Sequence, residues 1–179
     1  IAHLKKTFAQ EYPHSFVVFA KNDTEVFVAS RTPIVVDSAA TFAVRGLMRL
    51  TTIVQNKPLT IIACHAYNPI KEVDFIIRNQ ELKHIAALMT QERNPTLVIG
   101  DLNITPWSVI YQDFIMKSGL TNCREGFGLH PSWPVWMPLM LIPIDHCLIN
   151  NRLETVAFQT GKYTKSDHYP LVIQLRFRP

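Results

Sequence analysis

The chemistry-bearing residues of this 179-residue chain fall into three short segments. Gly100-Asp101-Leu102-Asn103 sets a carboxylate and a carboxamide two positions apart, behind a glycine that lets the backbone turn sharply and come close to a ligand. An aspartate there can orient or deprotonate a water, and an asparagine amide can donate to a developing oxyanion. The same two residues serve equally well as turn formers that bond their own backbone. Ile144-Asp145-His146 and Ser166-Asp167-His168 each join an acid to an imidazole, the second fixed by Pro170. Histidine beside aspartate offers a proton-carrying or cationic group next to a metal ligand, as phosphoryl chemistry requires. Singly, each pair reads as a surface salt bridge or a loop cap. With His65, all of them fall at strand ends.

The hydrophobic pattern supplies those strands. Phe16 to Ala20 and Glu25 to Ser30 flank the turn-rich Lys21-Asn22-Asp23-Thr24 as a hairpin, preceded by a helix over Ala2 to Gln10. Leu47 to Val54 and Leu59 to Cys64 flank Gln55-Asn56-Lys57-Pro58, a second hairpin that delivers His65. From Glu72 to about Glu92, Val73, Ile76, Ile77, Leu82, Ile85, Leu88 and Met89 recur at three- and four-residue steps. They predict a helix whose other face carries Arg78, Glu81 and Lys83. Thr96 to Ile99 reads as a strand buried on both faces, with Asp101 on the loop that leaves it. Thr105 and Pro106 open a short helix that Gly119 closes. Asn122 to Pro143, rich in proline and holding Trp133 and Trp136, reads as an ordered surface loop. Ile144 to Asn150, Thr155 to Gln159 and Leu171 to Phe177 complete the strands. The sum is an α+β layered fold, one domain over residues 1–179.

A composition of 47% hydrophobic and 18% charged residues excludes intrinsic disorder and collagen-like fibres. The formal net charge of +4 is compatible with an anionic substrate without requiring one. The basic residues are scattered, so no nucleic-acid stripe emerges. Cys64, Cys123 and Cys147 lie far apart without zinc-type spacing, and no disulfide framework is legible. No apolar run approaches the roughly 20 residues that cross a bilayer, so the chain as given reads as soluble.

In order and separation, Gly100-Asp101-Leu102-Asn103, Ile144-Asp145-His146 and Ser166-Asp167-His168-Tyr169-Pro170-Leu171 resemble the signature of the endonuclease/exonuclease/phosphatase superfamily, the DNase I-like fold. Tyr12-Pro13-His14, Thr105-Pro106-Trp107-Ser108 and Ser132-Trp133-Pro134 resemble its bacterial YafD-like branch in particular. The resemblance implies a four-layer α/β/β/α sandwich whose sheets converge on a divalent-metal site that hydrolyses phosphodiesters or phosphomonoesters. It implies that His168 contacts the scissile phosphate, that Asp145 holds its imidazole, and that Asp101 positions or deprotonates the attacking water. Asn103 would bond a phosphate oxygen, His65 would stand near the phosphate, and Asp167 would help hold Mg²⁺, with Mn²⁺ a substitute. His146 falls in a packing slot.

Against that pattern, the family's asparagine on its first strand and metal-binding glutamate on the next have no counterpart here. Glu11 and Glu25 do not replace the glutamate. The expectation is therefore an N-terminally truncated domain that lacks the first strands, binds metal weakly and has little activity, while the full-length protein is a hydrolase. The opposing expectation is a catalytically dead binding or scaffold domain of the same fold. Lost central strands would leave sheet edges open to self-association. The substrate classes left open are nucleic acid, a phospholipid headgroup and a small phosphoester. Membrane-anchored bacterial members of the branch leave the full-length location open.

Overall fold

A six-stranded sheet organises the residues that the computed structural model describes, which are 6–19, 25–43 and 46–179. Its strands are β3 (Ile34–Val36), β4 (Leu47–Val54), β5 (Lys57–His65), β6 (Thr96–Asp101), β7 (Thr121–Asn122) and β8 (Asp145–Ile149), in the order β3-β4-β5-β6-β8-β7. Every pairing is antiparallel except β5 with β6. A parallel pair needs a crossover, and helix α2 (Glu72–Gln91) supplies it.

Alternation along the strands divides the core. Ile62, Cys64, Val98 and Leu148 face α2 and helix α3 (Val109–Ser118), packing on Leu82, Ile85, Met89, Tyr111 and Phe114. The other face carries two hairpins, β1 (His14–Phe19) with β2 (Glu25–Ser30) and β9 (Leu153–Thr160) with β10 (Leu171–Phe177). Met48, Leu50 and Ala63 pack under the first hairpin, and Leu97, Cys147 and Ile149 under the second. Ile61 and Ile99 touch both clusters and mark the seam between them. The α+β reading holds, and the described residues form α, β and β layers. A short helix, α1 (Ser38–Ala43), also packs on β4.

Several local readings change. The buried face of α2 is Arg78, Glu81, Leu82, Ile85, Ala86 and Met89, so Arg78 (2% exposed) and Glu81 (6%) are interior rather than solvent-facing. Stepping back from Leu82 and Ile85 by three or four residues reaches those two charges and leaves Val73 and Ile76 outside. Helix α3 begins after Ser108 instead of at Pro106, because the Ser108 N–H closes a turn onto the Thr105 carbonyl. Its end at Gly119 is as read, with a left-handed φ of 65°. The loop between Asn122 and Pro143 is more regular than its prolines imply, with a Trp133–Ile142 bridge and a 3-10 turn at Pro138–Met140. Cys123 and Cys147, remote in sequence, are buried free thiols with sulfurs 3.5 Å apart, because β7 pairs with β8. Residues 6–8 are helical as expected, whereas the rest of that helix's start and the Lys21–Thr24 turn lie outside the described residues.

Candidate active site

Sheet register builds the site. Asp101 at the end of β6 is paired with His65 at the end of β5 on one side and with Asp145 at the start of β8 on the other. Three neighbouring strands thus set an imidazole and two carboxylates in a row across one end of the sheet, each step being the roughly 4.8 Å between strands. Gly100 makes the row possible. Its φ is 142°, and a Cβ there would sit 1.8 Å from the Cys64 carbonyl oxygen, so no other residue lets β6 lie this close to β5.

His168 joins from the loop between β9 and β10, and that loop is fastened at several points. The Tyr169 N–H donates to the Ser132 carbonyl (2.8 Å), the Val135 N–H to the Asp167 carbonyl (3.0 Å), and the His168 N–H to the Ser166 hydroxyl (3.1 Å). His168 Nδ1 then lies 2.7 Å from Asp145 Oδ2, which leaves Nε2 as the nitrogen not engaged by the carboxylate. His65 Nε2 is 3.9 Å from Asp101 Oδ2. A cleft of about 610 Å³ is lined by His65, Asp101, Asn103, Asp145, Asp167 and His168, with walls that include Asn68 and Trp133. All six residues expected from the sequence therefore share one cavity. Asp167 stands at its exposed rim.

Both readings of the Asp-Leu-Asn segment are realised at once. Asp101 Oδ1 accepts the Asn103 N–H (2.7 Å), a local turn that holds Asn103 at φ 49°. The Asn103 amide donates one proton to the Ala66 carbonyl (2.9 Å) and still lines the cleft. His146 is fully buried as expected, with Nε2 at 2.8 Å from the Ile104 carbonyl and its ring against Tyr111.

Electrostatics separate the three partners. Burial, then the like charge of Asp145, pushes the Asp101 carboxyl up to about 7. Burial also works to raise Asp145, but the hydrogen bonds with His168 and Ser132 outweigh it and hold that carboxyl below its ordinary range. Burial would lower His168, yet the Asp145 contact dominates and raises it. The result is an imidazole whose protonated form is favoured by its carboxylate partner, beside an acid pushed up to about 7.

Two positioning residues escaped the sequence reading. Arg78 Nη1 donates to the Asn103 carbonyl (2.6 Å), and the Tyr67 N–H donates to Glu81 Oε2 (2.8 Å). One face of α2 thereby braces the loop after His65 and the loop after Asp101. The available signal was phase: Arg78 and Glu81 lie in helical step with Leu82, Ile85 and Met89.

The donor set fits a divalent cation. Ligand atoms of Asp101, Asp145 and His168 lie within 4.8 Å of one another. Carboxylate oxygens suit a hard ion such as Mg²⁺, and a cation would offset the repulsion from Asp145 that adds to burial in raising Asp101. Asp145 Oδ2 is engaged by His168 and Asp101 Oδ1 by the Asn103 N–H, and Asp167, outside that group of three, stands at the exposed rim of the same cleft.

Comparison with known proteins shows the family and the fold. Residues 3–168 match the model of the Endonuclease/Exonuclease/phosphatase family. No curated protein sequence matches the chain. Among solved structures, an endonuclease/exonuclease/phosphatase from Beutenbergia cavernae superposes with a TM-score of 0.75 at 20% identity, over 98% of this chain and 57% of the other. This chain thus spans little more than half the length of that relative. Sphingomyelinase C from Streptomyces griseocarneus gives 0.64 at 17% identity, over 96% of this chain and 80% of the other. The 3′ phosphatase NExo from Neisseria, solved with a product DNA hairpin, gives 0.67 at 16% identity, over 92% and 79%.

Proposed function

Because this chain belongs to the Endonuclease/Exonuclease/phosphatase family, we propose that its cleft is the catalytic site of a metal-dependent phosphoester hydrolase that uses Mg²⁺ or Mn²⁺. The observation that carries the reading is the His65–Asp101–Asp145 row, with His168 docked on its last member.

Each residue's part follows from its surroundings. Asp101 positions the attacking water or takes its proton on the oxygen that Asn103 does not occupy. His168, kept cationic by Asp145, presents Nε2 to a non-bridging phosphate oxygen and stabilises charge as the phosphorus becomes five-coordinate. The second amide proton of Asn103 and the His65 ring supply further donors at the same cavity. Asp167 would help hold the cation, which when bound would supply Lewis-acid neutralisation of phosphate charge. Related structures act on sphingomyelin-type and DNA 3′-phosphate substrates, as their names state. We take phosphodiesters and phosphomonoesters as the class and the YafD-like branch as the narrower placement.

Release of p-nitrophenolate from bis-p-nitrophenyl phosphate tests the reading. Hydrolysis should require Mg²⁺ or Mn²⁺ and stop on chelation. Equal rates with metal and with excess chelator would refute it.

A further inference from the structure

Exposed apolar side chains concentrate at the end of the sandwich where the cleft opens. Ile70 (78% exposed) lies on the loop leaving β5, Val109 (82%) follows the loop leaving β6, and Trp136 (67%) and the fully exposed Leu139 lie on the loop entering β8. The loop between β9 and β10, which carries His168, adds exposed Tyr163. These four loops belong to the strand ends that set out His65, Asp101, Asp145 and His168. A soluble protein scatters exposed apolar residues singly, whereas their gathering around one opening marks a contact surface.

We propose that this end of the molecule docks on an anionic phospholipid bilayer. The loop that bears Leu139 is held out firmly: the Met137 N–H donates to the Pro134 carbonyl (3.0 Å) and the Met140 N–H to the Met137 carbonyl (2.9 Å). It is tied to the His168 loop by the Val135 N–H on the Asp167 carbonyl, which joins this surface to the cleft. Trp136 lines one groove with Tyr163, Lys165 and the Asp167 carboxylate. Lys162 and Lys165 are exposed and form no salt bridge among the described residues. Aliphatic tips enter the acyl layer, tryptophan and tyrosine sit at headgroup depth, and lysines meet anionic headgroups. Single-stranded nucleic acid also takes aromatic residues and lysines, but Leu139 and Ile70 give a base plane nothing to stack on. A protein occupant would roof over the cleft that lies between the loops, whereas a membrane brings phosphoesters to it. That last clause rests on the hydrolase reading; the docking itself does not.

Vesicle co-sedimentation of the full chain, read alongside tryptophan fluorescence, tests the surface. Binding to phosphatidylcholine vesicles containing phosphatidylglycerol should exceed binding to pure phosphatidylcholine and weaken with added salt. Leu139→Ser and Ile70→Ser should each lower affinity by about tenfold, the scale expected for losing a buried aliphatic side chain. Both variants should keep the wild-type melting temperature and the wild-type rate on soluble bis-p-nitrophenyl phosphate. Absence of vesicle binding, or binding indifferent to both substitutions, overturns the proposal. So does a dimer that either variant dissolves, or affinity for oligothymidylate in place of vesicles. Vesicle binding without soluble-ester hydrolysis would sustain the docking and reject the catalytic reading.

Discussion

His168 Nδ1 and Asp145 Oδ2 stand 2.7 Å apart although one residue is on a loop and the other opens a sheet strand. The contact fixes the ring's orientation and favours its protonated form. In Asp145→Asn the imidazole pKa should fall, because the charge that raises it is gone. Histidine NMR titration reads this directly. An unmoved titration would mean that the pair does not govern the ring.

Gly100 is predicted to be irreplaceable for packing reasons alone. An alanine Cβ would collide with the Cys64 carbonyl at 1.8 Å and would need a φ of 142°. Gly100→Ala should cost about 4 kcal/mol or prevent folding. Urea denaturation measures it, and a loss below about 1 kcal/mol would show that β6 can shift away.

Arg78 and Glu81 act through the loops they hold. Arg78→Met removes the brace on the Asn103 carbonyl, so kcat should drop by roughly 10- to 100-fold while KM changes little. The substitution also leaves the Asn103 carbonyl without that donor and removes the positive charge that faces buried Glu81, so stability should fall by about 2 kcal/mol. A purely structural role would lower stability and leave kcat per folded molecule at the wild-type value.

His146 should make the fold sensitive to mild acid. Burial lowers it from 6.5 to about 4, and its Nδ1 is buried without an acceptor for the added proton. Between those pH values the unfolded chain takes up a proton that the folded chain refuses. The stability from His146 is therefore whole above pH 6.5 and declines as pH falls toward 4, by about 3 kcal/mol. His168 has the opposite sign, since its raised pKa stabilises below the unfolded value and is lost as pH rises through the folded one. Melting temperatures across this range should slope less in His146→Gln than in wild type. Equal slopes would assign the acid sensitivity elsewhere.

The candidate site was legible in the sequence to the extent that glycine and proline punctuate it. Gly100 and Pro170 flank Asp101 and His168, although Asp101 closes β6 instead of lying on the loop beyond it, and local turn chemistry is written locally. What puts these residues together is register, and His65, Asp101 and Asp145 are paired across intervals of 36 and 44 positions by contacts that no local pattern encodes. The face of α2 was misjudged for a related reason. Its buried charges are tolerable only because Asn103 and Tyr67 meet them, and those partners lie outside the helix. Cys123 and Cys147 likewise became neighbours only through the short β7 pairing.

The most direct test of the account is the rate of metal-dependent bis-p-nitrophenyl phosphate hydrolysis by His168→Ala and Asp101→Ala, each checked for a native melting temperature. Both are predicted to lose about 10²- to 10⁴-fold in kcat/KM, the usual worth of a positioned acid or base. Wild-type rates in both variants would contradict the assignment of this cleft as the place where the ester is broken.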